Sequence, residues 1–174
     1  MSDLICELVK ETDPFLREKP EVFDFENPQV DAEKLQKQLI ENMIYHGGLG
    51  LSANQIGIPV TVFVMRMDNN ALVVFNPEIL EWSDDTTYMK EGCLSFPALW
   101  IAIERSKTIA VKFQVFNGEE QAGSMTDLSA RVFQHESEHM EGEIFIDNVS
   151  RFKLKATMRK RNILLRKFKR QKKD

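Results

Sequence analysis

The sequence predicts an α+β fold in which antiparallel β-sheets pack around a central helix, with a basic helix at the C-terminus. Two apolar patterns predict the mixed architecture, because short β-branched and aromatic runs indicate strands and four-residue apolar spacing indicates amphipathic helices. The third observation is a change of charge near residue 150, after which lysine and arginine dominate. Strands that surround a buried helix are typical of the α+β class.

The first helix is predicted over residues 32–46. Asp31 is a suitable N-cap, because its carboxylate can accept a hydrogen bond from the backbone of the first turn. Apolar residues follow at four-residue spacing, and two glycines then permit the left-handed backbone that ends many helices. These residues are Leu35, Leu39, Met43, Gly47 and Gly48.

Three strands are predicted over residues 60–66, 72–76 and 108–116. The intervals between them are too short for helical crossovers, so the strands should be antiparallel. Turn residues stand at their ends, namely Asn69, Asn70, Asn117 and Gly118. A second helix is predicted from Thr126 or Asp127, either of which can cap it, to about Glu141, with Gly142 placed to end it.

The composition is that of one ordinary soluble domain, with 43% hydrophobic and 29% charged residues in 174. A chain of this length folds without a disulfide scaffold, and its longest apolar runs fall far short of the ~18 residues that span a bilayer. The N-terminal segment lacks the basic start and apolar stretch of a secretory signal, so we expect a cytoplasmic protein. Cys6 and Cys93 should then be free thiols or metal ligands rather than a disulfide pair.

The net charge of -4 is divided unevenly along the chain. Residues 151–174 contain 12 Lys and Arg and one acid, for a local charge of +11, whereas residues 1–150 contain 11 basic and 26 acidic residues, for -15. We therefore expect one folded domain over 1–150 and a basic extension over 151–174 that attracts polyanions.

The predicted second helix contains His135, Glu136 and His139 in an H-E-x-x-H pattern. On a helix, positions i and i+4 point the same way, so the two histidines can bind one metal ion while the glutamate reaches a nearby water. Leu128 and Val132 lie on the same stripe, which predicts that the ligand face is turned toward the apolar interior. The pattern indicates a metal-activated hydrolase, although a surface helix with two chance histidines has the same letters.

A catalytic metal ion usually has three protein ligands, so two histidines leave one unassigned. A zinc protease of this pattern takes a His or Glu from further along the chain, but no histidine follows His139. Cys93, in the segment E-G-C-L-S of residues 91–95, is an alternative that would give one sulfur and two nitrogen ligands with an open position. A lone cysteine is otherwise a small buried hydrophobe.

A glycine-rich segment, G-L-G-L-S-A-N-Q over residues 48–55, follows the first helix directly. Its glycines permit close approach of the backbone to a ligand, and Gln55 can donate an amide hydrogen to a developing oxyanion. Taken by itself, the segment is equally typical of an ordinary turn.

Together and in this order, the three segments resemble the motifs of the peptide deformylases: a G-x-G-L-A-A-x-Q loop, an E-G-C-L-S segment and a Q-H-E-x-D-H helix. The resemblance extends to D-P-F-L-R at residues 13–17 and covers about residues 8–150. It implies a metallohydrolase that removes the formyl group from the initiator formylmethionine of nascent peptides by attack of a metal-activated water, releasing formate. It also implies one divalent ion, Fe(II) in the cell with Zn, Ni or Co able to substitute, held by Cys93, His135 and His139.

Further roles come from the resemblance, position by position. Glu136 is implied as the general acid and base, and Gln55 and the Leu94 backbone N–H as the donors to the oxyanion. Gly50 resembles the backbone group that holds the substrate. A methionine side chain needs an apolar slot beside the site. The candidate wall residues are Leu49, Met89, Leu128 and Val132. Ordinary core packing would explain these apolar residues equally well.

The sequence also departs from the family pattern. Glu138 stands where the family usually has Asp, and Ser52 replaces the first Ala of the loop. Trp100 occupies a position where some members have a basic residue near the peptide-binding groove, and we expect Arg105 to keep part of that role. His46 has no functional counterpart and should interact with the exposed carbonyls at the end of the first helix.

The basic extension is predicted to be an amphipathic helix over residues 151–170, because Leu154, Met158, Leu165 and Phe168 fall near helical spacing. Some bacterial deformylases carry a C-terminal extension that docks on the ribosome near the nascent-chain exit, and this segment is similar in placement and charge. We expect it to bind ribosomal RNA, since clustered cations release counterions from a polyanion; an acidic membrane surface is the competing partner. The family also implies a monomer.

Two other functions compete with deformylation on the sequence alone. A zinc endoprotease would use the H-E-x-x-H pattern but would leave Cys93 and Gln55 without a role. A non-catalytic protein with a structural metal site would normally show four protein ligands and no glutamate beside them. Deformylation of formyl-Met peptides, endopeptidase activity and the absence of both distinguish the three.

Overall fold

The computed structural model describes residues 4–68 and 70–171, with side chains up to Lys167. The predicted turn residue Asn69 and the side chain of Phe168 lie outside this description. Seven strands occur in the described part: β1 (Gly50–Ser52), β2 (Val62–Met67), β3 (Asn70–Trp82), β4 (Thr86–Glu91), β5 (Ile101–Ser106), β6 (Thr108–Gln114) and β7 (Glu120–Thr126). The helices described with them are α1 (Ala32–His46), α2 (Asp127–Met140) and α3 (Arg151–Gln171).

The strands form two antiparallel sheets, which confirms the predicted α+β class. The larger sheet has five strands in the order β1-β2-β3-β6-β7, and β4 and β5 form a separate two-stranded sheet. The segment with Cys93 lies between β4 and β5. The small sheet therefore carries one part of the candidate site and α2 carries the other.

Both faces of the five-stranded sheet are covered, and β2 shows why. Successive side chains of a strand point to opposite faces. Val62 and Val64 pack in a cluster with the apolar face of α1, whereas Phe63 and Met65 pack in a second cluster with α2. The uninterrupted apolar run of this strand reflects burial on both sides.

Helix α2 is in contact with two apolar clusters. Phe133 packs on the sheet, with its ring centroid 5.1 Å from that of Phe63. His135 points elsewhere, with its ring 5.5 Å from that of Phe145 in a third cluster that also contains Cys93. The helix thus has one face in the core and another directed at the segment between β4 and β5.

The predicted helices agree closely with the structure in their bounds. Asp31 accepts a hydrogen bond from the Lys34 N–H at 2.7 Å, and Gly47 ends α1 with a φ of 71°. At α2, Thr126 occupies the N-cap position, but its side chain makes no capping hydrogen bond. None of the helices in the described residues combines the length and apolar character that crossing a bilayer requires.

The strands were predicted less completely. β3 continues to Trp82 instead of ending at 76, and the sequence prediction missed β1, β4, β5 and β7. Most side chains of β4 and β7 are exposed, so these strands lack the apolar pattern on which the prediction depends. β1 is only three residues long.

The contact between α2 and the sheet should dominate stability. Because Phe133 is fully buried, Phe133→Ala should lower the free energy of unfolding by about 3–5 kcal/mol through lost transfer energy and a residual cavity. Phe116→Ala is the matched control, since that ring is 43% exposed, and should cost less than about 1 kcal/mol. Urea denaturation followed by circular dichroism compares the two; equal losses would contradict this account of the core.

Candidate active site and metal centre

Three buried side chains converge where α2 faces the segment between β4 and β5. The ligand atoms of Cys93, His135 and His139 all lie within 4.8 Å of one another. The Sγ of Cys93 is 3.4 Å from the Nε2 of His139. One sulfur and two imidazoles form a donor set that suits first-row transition ions such as Fe, Ni, Co or Zn and not Mg²⁺ or Ca²⁺. The residues therefore fit a transition metal ion.

The two imidazoles are held differently. The Nδ1 of His135 lies 3.1 Å from Oε2 of Glu91, so this carboxylate orients the ring and leaves Nε2 as the nitrogen available to a metal ion. His139 is fully buried, and its Nδ1 has no hydrogen-bond partner among the described residues. Burial lowers the pKa of His139 to about 3, which keeps its imidazole neutral, as a metal ligand must be.

Glu91 is the centre of a buried network of charges. Arg105 donates to it from Nε at 2.6 Å and from Nη2 at 2.9 Å, and Arg131 donates to it as well. Burial by itself would raise the pKa of Glu91, but the hydrogen bonds and charges of His135 and Arg105 outweigh it and hold the pKa at about 2. The carboxylate is therefore ionised and fully paired.

Arg105 does not have the role that the sequence suggested. We expected it to help hold the downstream peptide, but its side chain is buried and both ends of its guanidinium are occupied by carboxylates. Glu138 accepts from it at 2.6 and 2.9 Å and also accepts from Asn148 at 2.6 Å. That prediction is wrong, because the side chain belongs to the buried network and is not free to bind a peptide.

Glu136 lies beside the metal cluster under the loop of β1. Its side chain is buried, and its Oε2 has no hydrogen-bond partner among the described residues. Any side chain at Gly50 would overlap this carboxylate, so the glycine is required for close packing. Burial raises the pKa of Glu136 to about 7, although the positive charges of His135 and Arg105 act in the opposite direction. A group with this pKa can both accept and return a proton near neutral pH.

Gln55 is fixed against the metal cluster from the other side. Its Oε1 accepts from the Ser52 N–H at 3.0 Å and from the Ser52 hydroxyl at 3.1 Å. Its Nε2 lies 3.2 Å from the Sγ of Cys93 and 3.1 Å from the hydroxyl of Ser95, toward which it donates. The amide group therefore has one orientation, with its hydrogens directed at the cluster.

A cavity of about 510 Å³ opens beside the cluster, and Cys93, His135, Glu136 and Gln55 all line it. It is also lined by each residue that the sequence suggested as a wall or a substrate contact, namely Leu49, Gly50, Met89, Leu94, Leu128 and Val132.

Val132 is buried, as a residue of the interior face of α2 should be. Leu128 is not: it is 49% exposed, so the expectation that it faces the apolar interior is wrong. The first turn of α2 borders the cavity instead. Leu49 and Met89 are exposed to a similar extent, so the candidate walls form an apolar mouth as well as a pocket.

The structure also gives the outcome of the expectations on His46 and on the two cysteines. The sequence suggested that His46 interacts with the carbonyls at the end of its own helix. Instead, its Nε2 lies 3.0 Å from the backbone carbonyl of Cys6, so the ring contacts the N-terminal segment. Cys6 and Cys93 are both free thiols. Trp100 is 64% exposed at the edge of the cavity.

Sequence reasoning gave no role to two residues that build the site, Glu91 and Arg131. Arg131 stands four positions before His135 and so shares its helix face; it donates to the Thr87 and Ile103 carbonyls in addition to Glu91. The signal for Arg131 was its spacing, because an arginine four positions before His135 lies on the same helix face as the two histidines. Glu91 is the first residue of the E-G-C-L-S segment, in which only Cys93 and Leu94 were given roles.

Water activation is the chemistry that such a site serves. A transition ion polarises a carbonyl and acidifies water, and a buried carboxylate with a pKa near neutrality moves the proton. The fold and the site thus place the chain among the metal-dependent hydrolases.

Comparison with known proteins narrows this class to one family. The sequence profile of the family described as polypeptide deformylase matches residues 5–155, and the chain belongs to this family, whose members remove the N-terminal formyl group from nascent peptides. A peptide deformylase of Thermotoga sp. (strain RQ2) is 42% identical over 139 residues, which cover 79% of this chain and 83% of the relative. That of Bartonella tribocorum is 38% identical, covering 96% of this chain and 93% of the relative.

A solved structure supports the same assignment. The crystal structure of a peptide deformylase from Synechococcus elongatus in complex with actinonin superposes with a TM-score of 0.84 at 28% identity. The match covers 93% of this chain and 88% of that one.

The buried network should control both stability and the metal site. Glu91→Gln removes the carboxylate that the buried guanidiniums of Arg105 and Arg131 share. We therefore expect a loss of about 3 kcal/mol in the free energy of unfolding. It also removes the carboxylate that orients His135, so less metal should remain bound after dialysis against a chelator. Glu81→Gln, an exposed change of the same kind, is the control for urea denaturation and metal analysis. Equal behaviour of the two variants would contradict the assigned role.

Proposed function

We propose that this chain removes the formyl group from N-terminal formylmethionine of nascent polypeptides, with Cys93, His135 and His139 as the ligands of one divalent ion. The observation that supports this most directly is the convergence of those three donor groups beside Glu136, whose pKa is about 7. Membership of the deformylase family supplies the reaction. The roles of the individual residues rest on the geometry of the site and the likeness of its motifs.

We propose Fe(II) as the ion in the cell, with Zn, Ni or Co able to substitute. The family resemblance suggests iron, and a sulfur-and-imidazole donor set accepts all four ions, so availability decides which is loaded. An ion held there would act as a Lewis acid, polarising the formyl carbonyl and lowering the pKa of water toward about 7. Proton transfer, stabilisation of the oxyanion and binding of the peptide are then carried out by side chains and backbone groups of the chain.

Glu136 carries the proton in this proposal. It takes a proton from the water that adds to the formyl carbon and gives it to the amine nitrogen as the carbon–nitrogen bond breaks, so that formate and a free N-terminus leave. Its Oε2 has no hydrogen-bond partner among the described residues, which leaves this oxygen available for both steps. The formyl oxygen, which becomes negative, meets the amide of Gln55 and the backbone N–H of Leu94.

The cavity is proposed to hold the methionine and the residues after it. Gly50 is proposed to hold the substrate through its backbone, and the lack of a side chain lets the β1 loop pack directly on Glu136 at this position. The methionine side chain would contact an apolar wall, which consists of Leu49, Met89, Leu128 and Val132. Burial of that side chain places the formyl group over the metal ligands.

Replacement of Glu136 tests the proposal. Glu136→Gln keeps the size of the side chain but cannot carry the proton, so formate release from formyl-Met-Ala-Ser should fall by about 10²–10⁴-fold. The protein is purified without oxygen, and metal analysis should give near one ion per chain for both forms. Glu141→Gln, exposed just beyond the same helix, should retain full activity. Metal-replete wild-type protein that releases no formate, or an active Glu136→Gln variant, would contradict the proposal.

We further propose that α3 binds ribosomal RNA through its exposed face and that the enzyme acts as a cytoplasmic monomer. Among the side chains that the structure describes, up to Lys167, six cations of this helix are exposed: Arg151, Lys155, Arg159, Lys160, Arg166 and Lys167. Clustered cations gain affinity for a phosphate backbone by releasing its counterions. The body of the chain is acidic and would be repelled, so contact should be confined to the helix.

Point changes test this better than truncation near residue 150, because the partly buried Leu154 and Met158 and the buried Arg161 pack α3 against the body. Replacement of Lys155, Arg159 and Lys160 by Gln should weaken cosedimentation with ribosomes and reduce its salt dependence by roughly 0.7–0.9 in log–log slope per lost phosphate contact. Lys10, Lys34 and Lys37 replaced by Gln form the control, with the same change of charge on the body. Unchanged ribosome binding, or binding only to phosphatidylserine vesicles, would contradict the proposal.

A further inference from the structure

One side of α3 is docked on the rest of the chain. Leu154 and Met158 pack against the cluster that contains Cys93, and Arg161, less than one turn further, is only 5% exposed. These three residues have the four-and-three spacing of a single helix face. A buried guanidinium needs hydrogen-bonding partners, and the partners of Arg161 show what the helix holds.

The guanidinium of Arg161 joins three segments that are distant in sequence. Its Nε donates to the backbone carbonyl of Pro97 at 2.8 Å. Its terminal nitrogens donate to the two carboxylate oxygens of Glu11 at 3.0 and 2.6 Å, which is a bidentate, charge-assisted pair. The Glu11 side chain is 27% exposed, so the pair is largely shielded from water. The N-terminal segment thereby fixes the arginine, and the arginine fixes Pro97.

Pro97 lies in a wall of the cavity, which residues 96–100 line without a break. Ala98 has a φ of 59°, in the left-handed region that disfavours every residue except glycine. The Pro97 carbonyl belongs to the peptide plane that leads into Ala98, so the hydrogen bond from Arg161 restrains that plane. The Leu99 N–H also donates to the Phe96 carbonyl at 3.2 Å and closes a turn around the same peptide plane, so Arg161 holds this turn from outside.

The same wall is connected to the metal cluster and to the mouth of the cavity. A side chain at Gly92, beside Cys93, would meet the Leu99 carbonyl and the ring of Trp100, each at 3.3 Å. Movement of the wall would therefore open space next to Gly92 and shift the exposed ring of Trp100. Arg161 is not among the described residues that line the cavity, so its effect is indirect.

We propose that Arg161 is a positioning residue for the peptide substrate, and this role rests on the proposed function. By holding the Pro97 carbonyl from outside the cavity, it keeps residues 96–100 in the shape against which the peptide binds. Helix α3 is then part of the substrate-binding machinery as well as a basic surface. Because Arg161 contacts neither the metal ligands nor Glu136, its loss should raise KM and leave kcat nearly unchanged.

Kinetics with a matched pair of variants test the proposal. Arg161→Gln should raise KM for formyl-Met-Ala-Ser about three- to tenfold, with kcat within about twofold and metal content unchanged. Arg66→Gln makes the same change of charge at an exposed position that does not line the cavity, and it should alter neither constant. Glu11→Gln should raise KM less, and the double variant should be no worse than Arg161→Gln, because both residues act through one pair.

Fluorescence provides a readout that does not depend on activity. The chain has two tryptophans, so in a Trp82→Phe background the emission reports on Trp100 in the wall. Arg161→Gln should increase acrylamide quenching of Trp100, and Arg66→Gln should not. If Arg161→Gln does not fold, Arg161→Lys replaces it, since lysine keeps the charge but cannot form the planar pair.

Unchanged KM and unchanged quenching in the folded Arg161 variant would overturn the proposal, as would a fall in kcat that follows loss of metal. Wild-type protein that releases no formate would instead contradict the proposed function. In that case the quenching of Trp100 still decides whether Arg161 holds the wall.

Discussion

The geometry of the site depends on the neutralisation of one buried carboxylate. Glu91 stands two residues before Cys93, accepts from Arg105 and Arg131, and orients the ring of His135. Strands β4 and β5 form a sheet of their own, so backbone pairing with the larger sheet does not position them. The charges of Glu91 and its partners instead set the distance between the segment of Cys93 and helix α2. An ionised group in this position is costly to bury, and the pairing that offsets the cost also fixes the ligand geometry.

Helix α2 satisfies two demands that usually conflict. A core helix needs apolar side chains packed at high density, whereas a metal site needs polar side chains with hydrogen-bonding partners. The helix divides them by face: Phe133 packs on the sheet, and His135 and Glu136 face the cavity. Gly50 then lets the loop of β1 cover Glu136 without a gap.

The sequence predicted the features that have a strong local signal. The bounds of α1 and α2 followed from apolar spacing and end signals such as Asp31 and Gly47. The three ligand candidates were found by residue type and motif, and the structure brings them together, although their roles stay predictions. Residues with long-range partners could not be placed in this way. Arg105 was misjudged because its partners, Glu91 and Glu138, are 14 and 33 residues away in sequence.

The same limit applies to exposed strands and to the C-terminal helix. β4 and β7 are stabilised by pairing with β5 and β6 and carry few apolar side chains, so no periodic pattern marked them. The helical pattern of residues 151–170 was correctly recognised, but its lysines and arginines were interpreted only as a surface that attracts polyanions. Arg161 has the same letter as its exposed neighbours, and only the position of Glu11, 150 residues earlier, shows that it is buried.

The small sheet of β4 and β5 also bears on how such an enzyme can change over evolutionary time. Its inner side is held by Glu91, Arg105 and Arg131, whose partners leave little room for substitution. Two neighbouring side chains of β4 are different: Tyr88 and Met89, which point to opposite faces of the strand, are 65% and 46% exposed, and Met89 lines the cavity. Substitutions there can alter the surface offered to a peptide without disturbing the residues that hold the ligands. Peptide preference and metal chemistry can therefore diversify independently within one hairpin.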